Sequence, residues 1–298
     1  MPYRIDPSRP LADEVRRIAG EQLGRALDAI DSSSEDDGVD PVHRVRVCAK
    51  RLRAMLRLAR APMGDAFGAE NAVVRDVARS LAAARDAQVV LDAFDSLLPA
   101  DGLTPDLCVL RATLDAQRDL EAAGIEDSRG ALAAARPPLE AALARVPDLP
   151  VDDLRIDDVW REFASTYRRA RRAMRDTLAD PAPSHSHEWR SWAKRHWYHV
   201  RLMSQASPKA MRERASRLER LTERLGRRHD LDMLRARLTD PDGPLHALEG
   251  AEWALVRLDK AAGRLAIRSA REGLRLFSDK PSELARPLAS RWARRAAR

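Results

Sequence analysis

The sequence has few cysteines, few lysines, few aromatic residues and no long apolar run. Cys48 and Cys108 are the only cysteines, which excludes a disulfide framework or a zinc site built from cysteines. The longest stretch without a charged side chain is seven residues, as in 202–208, whereas a bilayer span needs roughly 20 apolar residues. We therefore expect no membrane-spanning segment. The N-terminal region has no apolar stretch and carries acidic residues early, which predicts the absence of a secretory signal and a cytoplasmic location.

Arginine supplies almost all of the positive charge. Five of the 53 basic residues are lysine and the other 48 are arginine, while 46 acidic residues leave a net charge of +7. The planar guanidinium group suits bidentate binding of phosphate or carboxylate. A GC-rich genome also raises arginine content, so the positions of the arginines, and not their number, carry the prediction.

Apolar residues recur at helical spacing along nearly the whole chain, and no segment shows the period-two alternation of a strand. The sequence predicts an all-α fold. Its helices are expected near 11–31, 41–62, 68–98, 104–146, 155–180, 185–206, 208–239 and 244–278, with a last helix from 282. Asp40-Pro41 and Ser207-Pro208 are typical helix starts, 32–40 and 180–187 read as loops, and Gly124 and Pro137 are expected to interrupt the fourth helix.

An internal repeat emerges when the sequence is shifted by 144 residues. The shift places His43 on His187, Lys50 on Lys194 and Leu81 on Leu225, without a gap. We therefore predict two similar halves, 1–150 and 151–298, each folded as a four-helix bundle.

The second helix of the first half carries two parallel stripes. An apolar stripe is expected to face the core and consists of Val42, Val45, Ala49, Leu52, Leu56 and Ala59. One residue later runs a basic stripe of His43, Arg46, Lys50, Arg53, Arg57 and Arg60. No acid occurs from Pro41 to Gly64, although like charges at helical spacing repel by roughly a few tenths of a kcal/mol per pair. The alternative interpretation is that a single basic stripe of this kind is an ordinary solvent-exposed helix face.

The basic stripe recurs in the second half. His187, Arg190, Lys194 and Arg201 occupy the equivalent positions, with Tyr198 beside them. Recurrence at equivalent positions predicts two half-sites that face each other.

The two stripes resemble the motifs of the CHAD domain (conserved histidine α-helical domain) family. The resemblance is carried by His43-x2-Arg46-x3-Lys50-Arg51-x-Arg53 and His187-x2-Arg190-x3-Lys194-Arg195-x2-Tyr198, and is reinforced by Arg85-Asp86 and His229-Asp230. It implies two pseudo-symmetric four-helix bundles around a basic central channel, inorganic polyphosphate as ligand, and association with polyphosphate granules. The chain departs from the family at Trp197, where arginine is usual, and at Arg201, where glutamate is common.

Together, the stripes and the resemblance predict the residues that bind polyphosphate. They are His43, Arg46, Lys50, Arg51, Arg53, Arg57, His187, Arg190, Lys194, Arg195, Tyr198, Arg201, Arg224 and Arg228. Arg224 and Arg228 belong to a stripe on the following helix, where intrahelical pairs with glutamate explain them equally well. Further candidates at the border of the channel are Tyr167, Arg168, Arg171, Arg172 and Arg175, whereas Trp192 is expected in the core or a bundle interface.

Three functions from different classes fit these features. The favoured one is non-catalytic binding of polyphosphate without metal or cofactor, with granule-associated proteins as further partners. A basic bundle also attracts nucleic acid as a non-specific polyanion, but aromatic residues make up only 4% of the chain and no nucleic-acid-binding motif is present. A metal-dependent phosphohydrolase is suggested by His196-x2-His199, His185-x-His187 and His229-Asp230, whose basic neighbours would repel a dication.

Overall fold

A computed structural model describes the backbone of residues 3–32, 40–81, 83–99, 102–124 and 128–297, and the side chains within these ranges except 83–86, 122–124 and 128–129. The described chain forms eleven α-helices and no strand, which confirms the all-α prediction. The helices are α1 (Leu11–Asp31), α2 (Pro41–Leu58), α3 (Asp65–Ser80), α4 (Ala83–Asp95), α5 (Pro105–Gly124), α6 (Ser128–Ala144), α7 (Ile156–Ala179), α8 (Pro183–Leu202), α9 (Pro208–Leu238), α10 (Gly250–Leu276) and α11 (Pro281–Ala296).

Proline opens several of these helices, as expected for a residue whose missing N–H is not needed in the first turn. At α2 the Asp40 carboxylate accepts a hydrogen bond from the Val42 amide at 2.9 Å, which confirms the predicted cap. Ser207 precedes α9 as predicted, but its side chain makes no capping hydrogen bond. Its hydroxyl instead accepts a hydrogen bond from Arg291 of α11 at 3.3 Å.

The predicted break at Pro137 is wrong, because Pro137 and Pro138 lie inside α6. Leu132, Ala135 and Leu139 are buried along one face of this helix, at a spacing that continues past the prolines. Packing of that face offsets the hydrogen bonds that the prolines cannot donate. The predicted helix 68–98 is described as α3 and α4, with residue 82 between them outside the described chain. The predicted loop at 32–40 falls largely on residues that are not described.

The buried apolar side chains form two clusters. The larger is built from α1, α2, α3, α6, α7, α8, α11 and the first part of α9. The smaller is built from α4, α5, the last part of α9 and the first part of α10. Each cluster contains residues from both sides of position 150, so the two predicted halves share their cores. Their description as two equivalent four-helix bundles stays a prediction.

The helix contacts nevertheless follow one order in both halves. The pairs α1/α2, α2/α3, α4/α5 and α1/α6 are in contact in the first half. The pairs α7/α8, α8/α9, α9/α10 and α7/α11 are in contact in the second. Across the halves α2 packs against α8, which brings together the two helices that carry the predicted basic stripes.

The apolar stripe of α2 is buried, as predicted. Val42, Val45, Ala49, Leu52, Leu56 and Ala59 are each at most 8% exposed. On the opposite side of α8, α10 approaches so closely at Gly273 that an added Cβ would lie 2.5 Å from the Trp189 ring. The faces of α2 and α8 that point away from the predicted site are therefore held in place by packing. Within the described residues, none of the helices has the length and apolarity that spanning a membrane requires.

Candidate functional site

A cavity of about 190 Å³ lies between α2 and α8, closed by one residue each from α3 and α9. Seven of the predicted polyphosphate-binding residues line it: Lys50, Arg53, Arg57, Arg190, Lys194, Arg195 and Tyr198. Its other lining residues are Ala54, Asn71, Ser191 and Thr222. The structure thus brings together side chains that are about 140 residues apart in sequence, of which Lys50 and Lys194 are equivalent cations under the 144-residue shift.

The cavity gathers six cationic side chains with no carboxylate among its described lining residues. Burial, reinforced by the charges of Arg57, Arg53 and Arg169, lowers the pKa of Arg195 to about 10. Burial and then the nearby Arg190 lower the pKa of Lys194, while Glu219 and Glu223 oppose that shift. These pKa changes show that the positive charges are held in a partly dry site and repel one another.

Neutral groups, and not carboxylates, hold several of these cations. The Arg53 Nε donates to the Asn71 side-chain oxygen at 3.0 Å. The Arg190 guanidinium lies against Gly226 of α9, where an added Cβ would be 3.5 Å from its Nε. The Lys194 ammonium lies 4.1 Å from the centroid of the Trp197 ring. Amide and aromatic partners orient a cation without cancelling its charge.

Tyr198 contributes a hydroxyl group to the same cavity. Its ring is buried, and burial raises the pKa of its hydroxyl to about 12. The hydroxyl therefore stays protonated at neutral pH and is available as a donor to an anion.

Two predicted residues of α2, His43 and Arg51, lie away from the cavity. They line a separate depression together with Cys48. The Arg51 guanidinium stacks over the Tyr3 ring at 5.6 Å. Arg46 does not line the cavity either, because its guanidinium donates to the Leu81 carbonyl oxygen at 3.0 Å.

The remaining predicted residues of α8 and α9 surround the site without lining it. His187 is exposed, and its ring centroid lies 4.9 Å from that of His229. Arg201 stacks on the Trp197 ring at 4.8 Å and lines a neighbouring depression. Arg228 is ion-paired with Asp232 at 3.0 Å, and Arg224 is half-buried on α9. A role for these residues in binding stays a prediction.

On α7 the structure differs from the sequence-based choice. The Tyr167 hydroxyl donates to the Asp279 carbonyl oxygen, and the Arg171 Nε donates to that of Phe277, both at 2.9 Å. These bonds fasten α7 to the segment that follows α10. Arg169, which the sequence did not single out, stacks on Trp192 of α8 at 4.7 Å and lowers the pKa of the cavity residue Arg195. The side chains of Arg85 and Asp86 lie outside the described residues.

The spacing of His196 and His199 suggested metal ligands, but both side chains are fully buried. Their Nδ1 atoms lie 3.4 and 3.1 Å from the Thr166 hydroxyl, and the His199 Nε2 donates to the Ala54 carbonyl oxygen at 3.0 Å. Burial lowers the pKa of both, that of His199 to about 3, so both rings are neutral. The described residues hold no cluster of three potential metal ligands. The two histidines instead join α8 to α7 and α2 behind the cavity.

Comparisons with known proteins agree with this architecture. The CHAD domain model matches residues 17–239. The crystal structure of the CHAD domain from the plant Ricinus communis superimposes with a TM-score of 0.64 at 19% identity, over 92% of this chain and 94% of that one. PptA from Streptomyces chartreusis superimposes with a TM-score of 0.61 at 17% identity, over 91% and 100% of the two chains.

A curated relative, an uncharacterized protein of Mycobacterium tuberculosis, is 32% identical over 104 residues. The match spans 33% of this chain and only 19% of that protein. The family assignment therefore comes from the family model, which covers about three quarters of the chain, and the two structures support the fold. This chain belongs to the CHAD domain family.

Proposed function

We propose that the protein binds inorganic polyphosphate, without catalysis, in the cavity between α2 and α8. One observation carries the proposal: six cations from the two halves converge on one cavity whose described lining contains no carboxylate. The family to which the chain belongs is linked to polyphosphate binding, which supports the same ligand.

The electrostatics of the cavity favour a linear polyanion. Buried like charges raise the free energy of the empty protein, as the lowered pKa values of Arg195 and Lys194 indicate. Phosphate oxygens neutralise these charges, and each guanidinium can bind two oxygens side by side. A polymer of phosphates can contact cations of α2 and of α8 at the same time, so each half raises the effective concentration of ligand at the other.

The chemistry of the lining favours binding over hydrolysis. Its polar side chains are guanidinium, ammonium, amide and hydroxyl groups, all of which donate hydrogen bonds at neutral pH. Such donors hold phosphate oxygens, and the described lining contributes no carboxylate or histidine that would take a proton from an attacking water. The two buried histidines are committed to Thr166 and Ala54 and do not line the cavity.

Competition binding tests the ligand. Labelled long-chain polyphosphate bound at physiological salt is displaced with unlabelled polyphosphate, duplex DNA or single-stranded RNA, with and without a chelator. We expect polyphosphate to compete at a much lower phosphate concentration than either nucleic acid, with no effect of the chelator. Equal competition by RNA or DNA would identify a general polyanion surface and refute the proposal.

Paired variants test the site. Arg190→Gln with Lys194→Gln removes two cavity cations, while Lys209→Gln with Arg220→Gln removes the same charge from exposed positions on α9. Only the first pair is expected to weaken polyphosphate binding strongly. Equal losses would show that net charge, and not the cavity, determines the affinity.

We further propose that this binding places the protein at polyphosphate granules in the cytoplasm, beside other granule-associated proteins. A fluorescent fusion is expected to co-localise with granules, and the Arg190→Gln, Lys194→Gln variant to become diffuse. Unchanged localisation of that variant would mean that a different surface recruits the protein.

A further inference from the structure

Trp192 of α8 lies outside the cavity lining but has three arginines around it. The guanidinium carbons of Arg195, Arg169 and Arg57 lie 4.3, 4.7 and 5.7 Å from centroids of its ring system. These arginines come from three helices, α8, α7 and α2, so the cluster is a product of tertiary packing. All three distances are within the range of about 6 Å at which a cation is attracted to an aromatic face.

The nearby carboxylates are already engaged. The Trp192 indole N–H donates to the Glu188 carboxylate at 3.3 Å. Glu162 of α7 is buried and forms an ion pair with Arg60 at 3.0 Å. Glu162 also acts on Arg57 and Arg169, and Glu188 acts on Arg195, so the aromatic ring and these carboxylates together surround the three guanidinium groups. An aromatic face orients guanidinium groups without supplying a full negative charge.

We propose that Arg169 is part of the polyphosphate site and that Trp192 is the positioning residue that holds it beside Arg195. The inference rests on the proposed function and deepens it, because Arg57 and Arg195 contact both Trp192 and the cavity. The site therefore continues from the cavity across α8 to α7. The ligand that uses this extension is a phosphate polymer too long for the cavity alone.

Neighbouring arginines of α7 provide the test. Arg169→Gln removes the stacked guanidinium. Arg168→Gln removes the same charge one residue earlier, from an equally exposed side chain that was predicted at the border of the channel but does not line the cavity. The probes are long-chain polyphosphate and tripolyphosphate. We expect Arg169→Gln to weaken long-chain binding about five- to tenfold and to lower the slope of log affinity against log salt by about 0.7. Tripolyphosphate binding should change less than about twofold, as should both affinities in Arg168→Gln.

The positioning role of Trp192 is tested without a change of charge. Trp192→Leu removes the ring, and Trp192→Phe keeps an aromatic face. We expect Trp192→Leu to lose most of the long-chain affinity that Arg169→Gln loses, with partial recovery in Trp192→Phe. Because the ring also contacts the cavity residues Arg57 and Arg195, tripolyphosphate binding should weaken too, but by a clearly smaller factor. A purely structural defect would instead weaken the binding of both ligands by the same factor and lower the melting temperature. If Trp192→Leu does not fold, the comparison of Arg169→Gln with Arg168→Gln decides.

Two outcomes would overturn the extension. Equal effects of Arg169→Gln and Arg168→Gln on long chains would show that Arg169 acts only through net charge. A loss of tripolyphosphate binding as large as that of long chains would place Arg169 within the cavity site itself. The proposed function fails separately, if the variant with Arg190→Gln and Lys194→Gln retains full affinity for both ligands.

Discussion

Replacing two lysines should change the salt dependence of polyphosphate binding by a predictable amount. Lys50 of α2 and Lys194 of α8 line the cavity from opposite sides and are two of its six cations. Lys50→Gln with Lys194→Gln removes both charges and keeps side chains of similar length. The variant should fold normally, because the lowered pKa of Lys194 reflects burial and repulsion by Arg190 that its removal relieves.

The expected slope of log affinity against log salt follows from the number of cations in the cavity. At roughly 0.7 per neutralised phosphate on a single-stranded polyanion, six contacts give a slope of log affinity against log salt of about −4, and four contacts about −3. Between about 50 and 200 mM salt, wild-type affinity should fall about 300-fold and that of the variant about 50-fold. Binding titrations can resolve this difference between the two salt dependences.

The assay is a set of anisotropy titrations with labelled long-chain polyphosphate at several salt concentrations. The matched control is Lys209→Gln with Lys260→Gln, which removes the same charge from exposed positions on α9 and α10. The control should keep the wild-type slope. The same slope in the cavity variant and the wild type, or the same reduction in both variants, would refute a six-cation binding site.

Three further measurements follow from the site and its surroundings. Polyphosphate at about 100 times its dissociation constant should add about 2.7 kcal/mol of stability, a rise of a few degrees in melting temperature at this chain length; an unchanged melt contradicts binding to the native state. Because His196 and His199 are neutral when buried, with the pKa of His199 at about 3, and ionise below about pH 6.5 once unfolded, stability should fall on acidification. At pH 5 the loss from His199 alone should be about 2 kcal/mol in urea titrations, His196 should add to it, and His199→Gln should reduce it; a pH-independent midpoint contradicts this account. Partial desolvation of the exposed His187 ring and the charges of Arg190 and Arg195 lower its pKa, and a polyanion bound nearby would raise it. Affinity should therefore increase as acidification protonates His187, and His187→Gln should flatten that profile; a wild-type profile as flat as that of His187→Gln contradicts a role of His187 in binding.

The part of the site on α2 could be predicted because helical geometry alone determines it. The buried stripe from Val42 to Ala59 leaves Lys50, Arg53 and Arg57 one residue away on the same helix, and these three side chains reach the cavity. The 144-residue shift then identified Lys194 from Lys50, and Arg190 and Arg195 from Arg46 and Arg51, although neither Arg46 nor Arg51 lines the cavity.

The contribution of α7 could not be predicted in the same way. Five arginines occur between Arg168 and Arg175, so composition does not distinguish the one that faces α8. That choice depends on how α7 and α8 pack, which places Arg169 over Trp192 while Arg171 bonds to the carbonyl of Phe277.

Trp197 shows how a departure from a motif can preserve the arrangement of the neighbouring cations. Under the repeat Trp197 corresponds to Arg53, so the second half lacks one guanidinium. The ring instead lies 4.1 Å from the Lys194 ammonium and 4.8 Å from the Arg201 guanidinium. Replacing a cation by an aromatic ring reduces repulsion among the remaining cations and orients two of them. Sequence comparison detects that a charged residue is missing, but it does not detect that the Trp197 ring orients two neighbouring cations.

The distribution of carboxylates distinguishes the cavity from the rest of this arginine-rich chain. Elsewhere arginines form close ion pairs, such as Arg145 with Glu70 at 2.6 Å and Arg111 with Asp95 at 2.8 Å. In the cavity the corresponding partner of Arg53 is the uncharged side chain of Asn71, at 3.0 Å. Because the sequence contains 46 acidic residues, a shortage of carboxylates does not explain why Arg53 is paired with an uncharged side chain.

Asn71→Asp tests whether the missing carboxylate matters, because it changes one terminal group and little volume. The new carboxylate would accept the existing hydrogen bond from Arg53 and turn it into a charge-assisted one, which should stabilise the empty protein by about 1 kcal/mol. It would also place a negative charge on the wall of the cavity, so polyphosphate affinity should fall about tenfold. Thermal melts and binding titrations of the same preparation should therefore move in opposite directions. A variant that is both less stable and weaker in binding would indicate structural damage, and unchanged binding would show that the cavity does not contact the ligand.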